Sequence, residues 1–420
     1  MPGDDSCEVL VLGAGPAGSV AAALLAGLGR RVVCVERAFF PRFSVGESLL
    51  PRANQLLEAA GLWHDVLGRR YQPKHAALFL RGAERERFCF AEGLPDEPAS
   101  TFQVPRDDFD QTLATGARRR GADVRFGVTA SALSFEGGRA RAELHCAETG
   151  ERRPIEARFV IDASGAGRVL PRLLGVERPA GLASRVSLLT QVEGDARPEG
   201  SAEGDIWVCI DPGRAWIWVI PFSNGRSSVG LVASPELVAA LPGTDRDKLF
   251  SLLRAEPNAG ARLAQAAPVT KTQRLESWST SAERLSGPGW ALAGNAGEFL
   301  DPVFSSGVTL ALESGSLAAR LAHDELAGLP VDWAARYDAP LRKAVAVFRA
   351  FVEGWYRGDV ERIFFAKNKL EVVRRYITSI LAGHVRNDQN PLVRSPEVTL
   401  RRLARAVDAA ALVDLAVPPS

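Results

Sequence analysis

The pattern of hydrophobic and polar positions changes character twice along the chain. Residues 8–36 contain an apolar strand, a glycine-rich turn, an alanine-rich helix and a second apolar strand, which is typical of the opening of an α/β domain. Segments 120–135 and 155–162 are predicted as further short strands. Between about 185 and 235, β-rich runs alternate apolar and polar positions, and from Ser314 onward the pattern is helical. The pattern therefore predicts an α/β domain, an inserted antiparallel β-sheet domain and a helical C-terminal region.

The composition fits an enzyme-sized chain and excludes several classes of protein. At about 150 residues per domain, the 420 residues predict two or three structural units. A hydrophobic content of 46% with 24% charged residues excludes an intrinsically disordered chain. Because 51 basic residues balance 50 acidic ones, the net charge of +1 gives no field that would attract nucleic acid. Only six basic residues are lysines, and Lys74 is the single lysine before residue 248.

Cysteine usage and the first residues predict a reduced, cytoplasmic protein. The five cysteines form neither a CxxC pair nor a metal-ligand spacing. Asp4 and Asp5 stand where a signal peptide would carry basic residues. Residues 9–29 are apolar, but five glycines and a proline interrupt them, which argues against a membrane span. We therefore expect no stable membrane insertion.

A glycine-rich turn carries the first chemical signal. Gly13, Gly15 and Gly18 form a GxGxxG sequence between an apolar strand and an alanine-rich helix. In such a turn the backbone approaches a pyrophosphate at the helix N-terminus. Glu36 ends the next strand, where a carboxylate accepts hydrogen bonds from the ribose hydroxyls of the AMP half. The fingerprint predicts a bound dinucleotide, and both FAD and NAD satisfy it.

Further motifs point to a family. Arg106 lies in VPRDDFD, Asp162 begins DASG after a predicted strand, and residues 294–315 read GNAGEFLDPVFSSGVTLALESG. With these motifs the sequence resembles the flavin-dependent halogenases of the tryptophan-halogenase superfamily, which are related to geranylgeranyl reductases. The resemblance implies FAD and an α/β fold, namely a p-hydroxybenzoate-hydroxylase-like, Rossmann-type FAD-binding domain with an inserted antiparallel β-sheet and a helical C-terminal cover. It also implies these cofactor contacts: Gly13, Gly15, Gly18, Glu36, Arg37, Ser48, Arg106, Asp162, Gly294, Asn295, Asp301 and Gly307.

The same resemblance divides the chain into three regions. The FAD-binding domain is expected to be discontinuous, because the β-sheet substrate domain is inserted into it. The predicted FAD-binding segments are 1–78, 105–180 and 286–330, the substrate-domain segments are 79–104 and 181–285, and the helical C-terminal region is 331–420.

Two tryptophans on one strand form a motif of their own. Residues 216–221, WIWVIP, match the WxWxIP signature of the halogenases. Alternation along a strand places Trp216 and Trp218 on the same face. In the family such indoles are taken to separate the flavin from the organic substrate, so we assign both to the catalytic site. Packing of the pair in a sheet core is the alternative, because reductase relatives carry looser versions of this strand.

One lysine falls at the position of the family's catalytic lysine. Lys74 follows the family motif GESLLP (46–51) at the family's spacing, in a segment that resembles the KxGAxF motif. An exposed lysine is protonated and a poor nucleophile, whereas burial would lower its pKa. A neutral amine could direct hypohalous acid by a hydrogen bond or as a transient chloramine. A solvent-exposed loop lysine is the alternative.

The segment DPVFSSG (301–307) predicts an anion site before a helix. By resemblance, the backbone N–H groups of Ser306 and Gly307 would bind chloride or bromide without a charged side chain. A plain contact with FAD explains the same segment equally well, because reductases make that contact too.

Three departures qualify the resemblance. Asn295 replaces the usual aspartate after Gly294, which removes the charge from a hydrogen bond to the ribityl chain. His75 and Ala76 change the residues that follow the lysine. Phe304 stands where tryptophan-specific enzymes have a glutamate, which predicts a substrate other than free tryptophan.

These motifs support three hypotheses of different classes. The first is halogenation of a phenol or pyrrole, free or tethered to a carrier protein. In that family reduced FAD from a separate flavin reductase reacts with O₂ to a C4a-hydroperoxide, halide attacks it, and the lysine, here Lys74, directs the hypohalous acid. The second is a geranylgeranyl-reductase-like or monooxygenase-type oxidoreductase that acts on a lipid-like or polyene substrate without halogen. The third is a flavin-binding component without catalysis, which the complete set of motifs disfavours.

Overall fold

The computed structural model describes residues 6–367 and 369–416, with side chains up to residue 408. Asp4 and Asp5 lie outside the described residues. So do the first residues of the predicted FAD-binding domain and the last residues of the predicted C-terminal region. In the part of the chain that is described, no helix combines the length and the apolar character needed to cross a membrane. The same part contains no group of three or more His, Cys, Asp or Glu residues that could hold a metal ion, and all five cysteines are free.

The strands are numbered in chain order. They are β1 (Ser6–Leu12), β2 (Val32–Glu36), β3 (Gln72–Lys74), β4 (Ala76–Arg81), β5 (Glu84–Cys89), β6 (Thr101–Gln103), β7 (Asp123–Phe126), β8 (Val128–Glu136), β9 (Arg139–Cys146), β10 (Arg152–Asp162), β11 (Glu177–Arg178), β12 (Val186–Glu193), β13 (Ile206–Asp211), β14 (Ala215–Pro221), β15 (Arg226–Ala233), β16 (Ala267–Pro268), β17 (Gln273–Glu276), β18 (Ser281–Ala282), β19 (Ser286–Gly287) and β20 (Trp290–Leu292).

The α-helices are numbered in the same way. They are α1 (Pro16–Gly27), α2 (Arg52–Ala59), α3 (Trp63–Gly68), α4 (Arg106–Arg119), α5 (Val169–Leu173), α6 (Pro235–Ala240), α7 (Asp245–Ala255), α8 (Pro257–Arg262), α9 (Ser306–Leu326), α10 (Ala339–Tyr356), α11 (Asp359–Phe364), α12 (Glu371–Leu381), α13 (Pro391–Arg394) and α14 (Pro396–Ala416).

The first large sheet is built on parallel strands. Its order is β19-β20-β10-β1-β2-β7, and β9 and β8 extend it from β10 as an antiparallel pair. Strand β1 is parallel to both β2 and β10, so Leu12 lies opposite Val35 and Asp162. All five residues of β2 are buried, as expected for a parallel strand that is covered on both faces. The carboxyl ends of three strands therefore meet at one edge, where α/β sheets of this kind form their ligand crevice.

The second large sheet carries the tryptophans. Its order is β16-β12-β15-β14-β13-β4-β5, with β17 also on β12; β13 and β4 pair in parallel. Side chains alternate between the two faces of β14. Trp216 and Trp218 pack in a hydrophobic cluster with the C-terminal helices. Ile217 and Val219 enter the opposite cluster, with α7 and α8. Each face of this sheet is thus covered by helices.

The predicted fold class is confirmed, and the differences are local. The segment 120–135 forms two strands, β7 and β8, because a turn at Gly127 interrupts the run. Helix α4, which is not among the predicted elements, places Arg106 and Asp110 one turn apart on the same face.

A buried ion pair anchors the hairpin that follows the tryptophan strand. Asp195 accepts hydrogen bonds from Arg262 (2.9 Å) and Arg197 (3.1 Å), and the side chains of Asp195 and Arg262 are each 1% exposed. Arg197 in turn donates to the carbonyl oxygens of Phe222 (2.7 Å) and Arg226 (2.6 Å). Burial alone would raise the pKa of Asp195, but the two arginines lower it below its usual value. The ionised carboxylate thus fixes both sides of the turn between β14 and β15.

Asp195→Asn should destabilise the protein by about 3 kcal/mol, because it leaves the buried Arg262 guanidinium without its counter-charge. Since folding lowers the pKa of Asp195, its contribution is present above the unfolded-state pKa and is lost as the pH falls through the folded-state value. Urea unfolding at pH 7 measures the change. Asp211→Asn is the matched control, since Asp211 pairs with the exposed Arg214 and should contribute less than about 1 kcal/mol. Equal losses in both variants would contradict the anchoring role.

Candidate active site

The glycine loop is shaped by backbone contacts that leave one side open. Gly13 has φ +99°, and a Cβ there would lie 2.5 Å from the Ala163 carbonyl oxygen. A Cβ at Gly18 would lie 1.8 Å from the Gly13 carbonyl oxygen. At Gly15, by contrast, a Cβ would meet the Arg42 guanidinium at 3.5 Å. Helix α1 begins beside this open side without a side-chain cap, so its first N–H groups can bind an anion.

Charged side chains continue from this loop toward helix α4. Glu36 ends β2 and accepts a hydrogen bond from the Ala14 N–H at 3.0 Å. Arg42 lies between two carboxylates, 3.9 Å from Glu36 and 3.3 Å from Asp110. Asp110 is fully buried and accepts two hydrogen bonds from Arg106, at 2.8 and 3.0 Å. We call Glu36, Arg42, Asp110 and Arg106 the charged rim.

Arg106 holds the segment 45–49 against the start of helix α9. It donates a hydrogen bond to the Val45 carbonyl oxygen. A Cβ at Gly46, which has φ +103°, would lie 2.9 Å from the Arg106 guanidinium and 3.3 Å from Val308. Arg106 is therefore paired within the protein, and it positions the segment that leads toward Lys74.

Four further residues with a predicted cofactor contact lie around the same edge of the first sheet. Asp162 ends β10, is fully buried and accepts two backbone N–H groups of the following turn. Burial raises its pKa, although these hydrogen bonds oppose the effect. Gly294 follows β20, and its N–H donates to the Ser314 hydroxyl at 2.8 Å. Asn295 is half-buried, and Arg37 is exposed just after β2.

Three buried polar atoms, two in the segment 45–49 and one beside it, have no hydrogen-bond partner among the described residues. They are Glu47 Oε2, Ser48 Oγ and Gln103 Oε1, and each residue is at most 3% exposed. Ser48 and Gln103 also pair through their backbones. Leaving such atoms unpaired costs free energy, so they mark a place where the polar edge of a ligand would find partners.

Lys74 is buried at the end of β3, with 1% of its surface exposed. Its Nζ donates to the Leu49 carbonyl oxygen at 2.8 Å and lies 5.2 Å from the centre of the Phe90 ring. Burial lowers the pKa of Lys74 to about 7, and the Asp205 carboxylate opposes this shift only in part. The amine is therefore available in its neutral form near pH 7. The changed sequence after the lysine does not interrupt the extended backbone, since the His75 carbonyl oxygen accepts the Phe90 N–H at 2.9 Å.

The two indoles of β14 connect three parts of the chain. Each is 4% exposed, and their ring centres are 5.7 Å apart. Trp218 Nε1 donates to the Ser228 hydroxyl and Trp216 Nε1 donates to the Tyr356 hydroxyl, each at 3.2 Å. The Tyr356 hydroxyl donates to Asp301 Oδ2 at 2.9 Å, and burial raises the pKa of Asp301 to about 6. Helix α10 thus ties the tryptophan strand to the DPVFSSG segment, and Asp301 serves this connection.

The predicted halide turn forms the beginning of helix α9. Ser305 has φ +55°, and the helix starts at Ser306 without a side-chain cap. Ser306 is 2% exposed, and the Phe299 ring lies 2.7 Å from the position that a Cβ at Gly307 would take. The first N–H groups of α9 are thus not satisfied by a capping side chain, which an anion site requires.

Several residues of this arrangement carry no motif of their own. Tyr356 lies 140 residues from Trp216 in sequence, and the apolar pattern of its helix indicates only packing. Phe90, which follows β5, and Asp205, which precedes β13, influence Lys74 from two further segments. The Tyr356 hydroxyl, a polar group at the C-terminal end of this helix, is the signal that could have indicated a contact beyond packing.

The family model of the FAD binding domain matches residues 6–325. The chain belongs to this family. This flavoprotein is similar to a solved flavoprotein/dehydrogenase structure from Cytophaga hutchinsonii, with a TM-score of 0.94 and 40% identity. The match covers 97% of the present chain and 100% of the Cytophaga chain. The resemblance extends to named halogenases.

A tryptophan 2-halogenase from Chondromyces crocatus is 36% identical over 328 residues, which cover 77% of this chain and 62% of the relative. A 1H-pyrrole-2-carbonyl-[peptidyl-carrier protein] brominase from Pseudoalteromonas luteoviolacea is 26% identical over 317 residues, covering 75% and 76%. The flavoprotein thus spans about three fifths of the first relative's length. The resemblance to flavin-dependent halogenases and the use of FAD are confirmed.

The residues of the crevice fit FAD. The open side of Gly15 and the uncapped start of α1 suit a pyrophosphate, and Glu36 lies where a ribose would bind. The unpaired atoms of Glu47, Ser48 and Gln103 suit the polar edge of a flavin ring. The charged rim joins these two places.

Gly15→Ala should leave the fold intact and weaken FAD binding at least tenfold, because the new methyl group occupies the open side of the loop. Gly18→Ala should instead prevent stable folding, because its methyl group would collide with the backbone of Gly13. Thermal unfolding and titration with FAD, followed by quenching of flavin fluorescence, separate the two effects. Unchanged FAD affinity in Gly15→Ala would show that the pyrophosphate binds elsewhere.

Lys74→Met should make the stability of the protein less dependent on pH. Because folding lowers the pKa of Lys74, the unfolded chain binds more protons between about pH 7 and pH 10.5, and stability rises with pH across that range. The variant should be the more stable protein at pH 7, and the difference should shrink by on the order of 3 kcal/mol by pH 10. Urea unfolding at four pH values measures it. The exposed Lys343→Met should show no such trend, and a constant difference for Lys74→Met would contradict the lowered pKa.

Proposed function

We propose that this flavoprotein halogenates an electron-rich aromatic substrate, a phenol or a pyrrole, with chloride or bromide. The observation that carries the proposal is the buried amine of Lys74, which has a lowered pKa and donates a hydrogen bond to the segment 45–49 that Arg106 of the charged rim holds in place. The balanced reaction converts FADH₂, O₂, halide, an aromatic C–H and one proton into FAD, the carbon–halogen bond and two waters.

The chain's own residues would hold FAD along the charged rim. The first turn of α1 and the open side of Gly15 bind the pyrophosphate, Glu36 binds the ribose, and Asp162, Gly294 and Asn295 line the same edge. Bound reduced FAD supplies the two electrons that activate O₂. A separate flavin reductase is the proposed source of the reduced cofactor.

The start of helix α9 would hold the halide. The backbone N–H groups of Ser306 and Gly307 bind an anion without a counter-charge that would compete for it. Val308, in the same turn, lies against Gly46, so the halide turn and the segment 45–49 face each other. This contact supports a short path from the place of halide oxidation to Lys74.

Lys74 would receive the hypohalous acid and direct it to the substrate. The neutral amine can donate a hydrogen bond to the acid, or it can form an N–halogen bond while hydroxide and the amine proton leave as water. Transfer of the halogen to the aromatic carbon then displaces the ring proton, which the nitrogen takes up to restore the amine. Burial suits either route, because water would otherwise quench an unselective oxidant.

Trp216 and Trp218 would separate the flavin from the organic substrate. Their indoles are fixed by hydrogen bonds to Tyr356 and Ser228, so the pair is a rigid partition. A rigid partition favours halogenation over direct oxygenation, because only a small diffusing oxidant can pass from one side to the other.

The substrate class and a carrier-bound form are proposed from the resemblance. The brominase relative is named for a pyrrole on a peptidyl-carrier protein, and the other relative is named for tryptophan. Phe304 occupies the position of a glutamate in tryptophan-specific enzymes, and it packs against Phe351 and Trp355. These contacts favour an apolar aromatic ring over a free amino acid.

A second candidate is a reductase-like reaction without halogen. It is favoured by the similarity to a flavoprotein/dehydrogenase and by Asn295, which departs from the halogenase pattern. In this case Lys74 would have no chemical part, and a lipid-like or polyene substrate would be reduced or hydroxylated.

Lys74→Ala should abolish incorporation of halogen, with at least a hundredfold loss of rate, while FAD binding is retained. The assay supplies reduced FAD, O₂, equal chloride and bromide, and a panel of phenols, pyrroles, carrier-bound pyrrole and tryptophan, with detection of products by mass spectrometry. Lys343→Ala, on the exposed face of α10, is the control and should keep full activity.

Two results would count against halogenation. Full activity of Lys74→Ala would contradict the role of the amine. Halide-independent turnover of an isoprenoid, with no halogen in any product, would establish the reductase-like reaction in its place.

A further inference from the structure

A small polar cavity lies between the segment 45–49 and the second sheet. Its volume is about 50 Å³, which gives room for a few water molecules. Strand β12 and strand β15 form one wall, and the residues before β17 form the other. The polar residues that line it are Glu47, Thr190, Gln191, Ser228, Thr270, Lys271 and Gln273.

Glu47 is the one carboxyl group among these lining residues, and it is not held by a salt bridge. The residue is 3% exposed, and its Oε2 has no hydrogen-bond partner among the described residues. Ser228 and Gln191 approach the carboxyl group, but both are neutral. A buried carboxylate without a cation is strongly disfavoured, so this environment selects the protonated acid.

Glu47 is also connected to both sides of the proposed reaction centre. The preceding residue, Gly46, lies against Arg106 and against Val308 in the halide turn. Ser228, beside the carboxyl group, accepts the indole N–H of Trp218. The acid therefore stands between the FAD crevice, the halide turn and the tryptophan pair.

We propose that Glu47 is a proton reserve of the FAD pocket: the pocket binds reduced FAD with Glu47 as the neutral acid, so binding of the anionic cofactor is coupled to protonation of this residue. The coupling follows because a second negative charge in a buried pocket opposes ionisation of the first. Glu47 would also supply the proton that the balanced halogenation consumes, and this role rests on the proposed function. The polar cavity would return that proton from solvent.

The charges around Glu47 agree with titration near neutral pH. Burial raises the pKa of Glu47 to about 7. Hydrogen bonding with Ser228 and Gln191 and the charge of Arg106 oppose this shift, while the charge of Asp107 adds to it. Lys271 lines the cavity from the segment before β17, and the facing residues of β12 and β15 are not titratable. A group that titrates here can change its protonation on binding across the physiological range.

The test measures binding of reduced FAD to the full-length flavin-free protein, without oxygen, between pH 6 and pH 9. Wild-type affinity should fall by up to tenfold per pH unit above pH 7, and calorimetry in two buffers of different ionisation heat should show proton uptake. Glu47→Gln is a neutral mimic of the protonated acid. This variant should bind reduced FAD at pH 6 with the wild-type affinity. It should show a smaller fall in affinity above pH 7 and a smaller proton uptake, because the contribution of Glu47 to both is removed.

The matched control is Glu361→Gln. Burial also raises the pKa of Glu361, but this residue belongs to helix α11 and pairs with Arg81, so the pH dependence should remain that of the wild type.

Two outcomes would overturn the proposal: an identical pH dependence and proton uptake in wild type and Glu47→Gln, or loss of FAD binding at every pH in a Glu47→Gln protein with an intact fold. Because the test measures only the binding of reduced FAD, its result can be interpreted even if the protein does not halogenate.

Discussion

The ion pair between Asp110 and Arg106 is the interaction on which the rest of the site depends. Asp110 is fully buried, so its charge requires compensation, and the two hydrogen bonds from Arg106 provide it. Through Nη1, Arg106 also donates to the carbonyl oxygen of Val45. The segment 45–49 is thereby fixed at one end, and its other end offers the Leu49 carbonyl oxygen to Lys74. A single short segment thus relates the cofactor crevice to the amine.

The same low-polarity surroundings act in opposite directions on the two ionisable groups near this segment. Burial lowers the pKa of Lys74 and raises that of Glu47, so both groups tend toward the uncharged form near neutral pH. An uncharged interior suits the proposed reaction, in which the pocket accepts anions and contains an electrophilic oxidant. Neither group is neutralised by a direct salt bridge, which would have fixed its charge permanently. The site combines an amine that can accept a proton with an acid that can give one.

Local features of the site could be predicted from the sequence, whereas contacts between distant segments could not. Gly13, Gly15, Gly18 and Glu36 are recognisable because the loop, the helix and the strand end lie within one short stretch. The common face of Trp216 and Trp218 follows from strand alternation alone. The contact of the Tyr356 hydroxyl and the unpaired Oε2 atom of Glu47 could not be predicted, because both depend on how separate strands and a C-terminal helix pack together. The roles assigned to the site residues stay predictions.

The parallel pairing of β4 with β13 determines the order in which the site can be built during synthesis. Ala77, three residues after Lys74, pairs with Ile206, and parallel neighbours need a long crossover between them. Strand β5 pairs with the other side of β4, but a growing chain must extend past residue 206 before β4 has its second neighbour. Asp205, which partly opposes the lowered pKa of Lys74, is synthesised more than a hundred residues after the lysine. The electrostatic environment of the lysine is therefore completed late in synthesis.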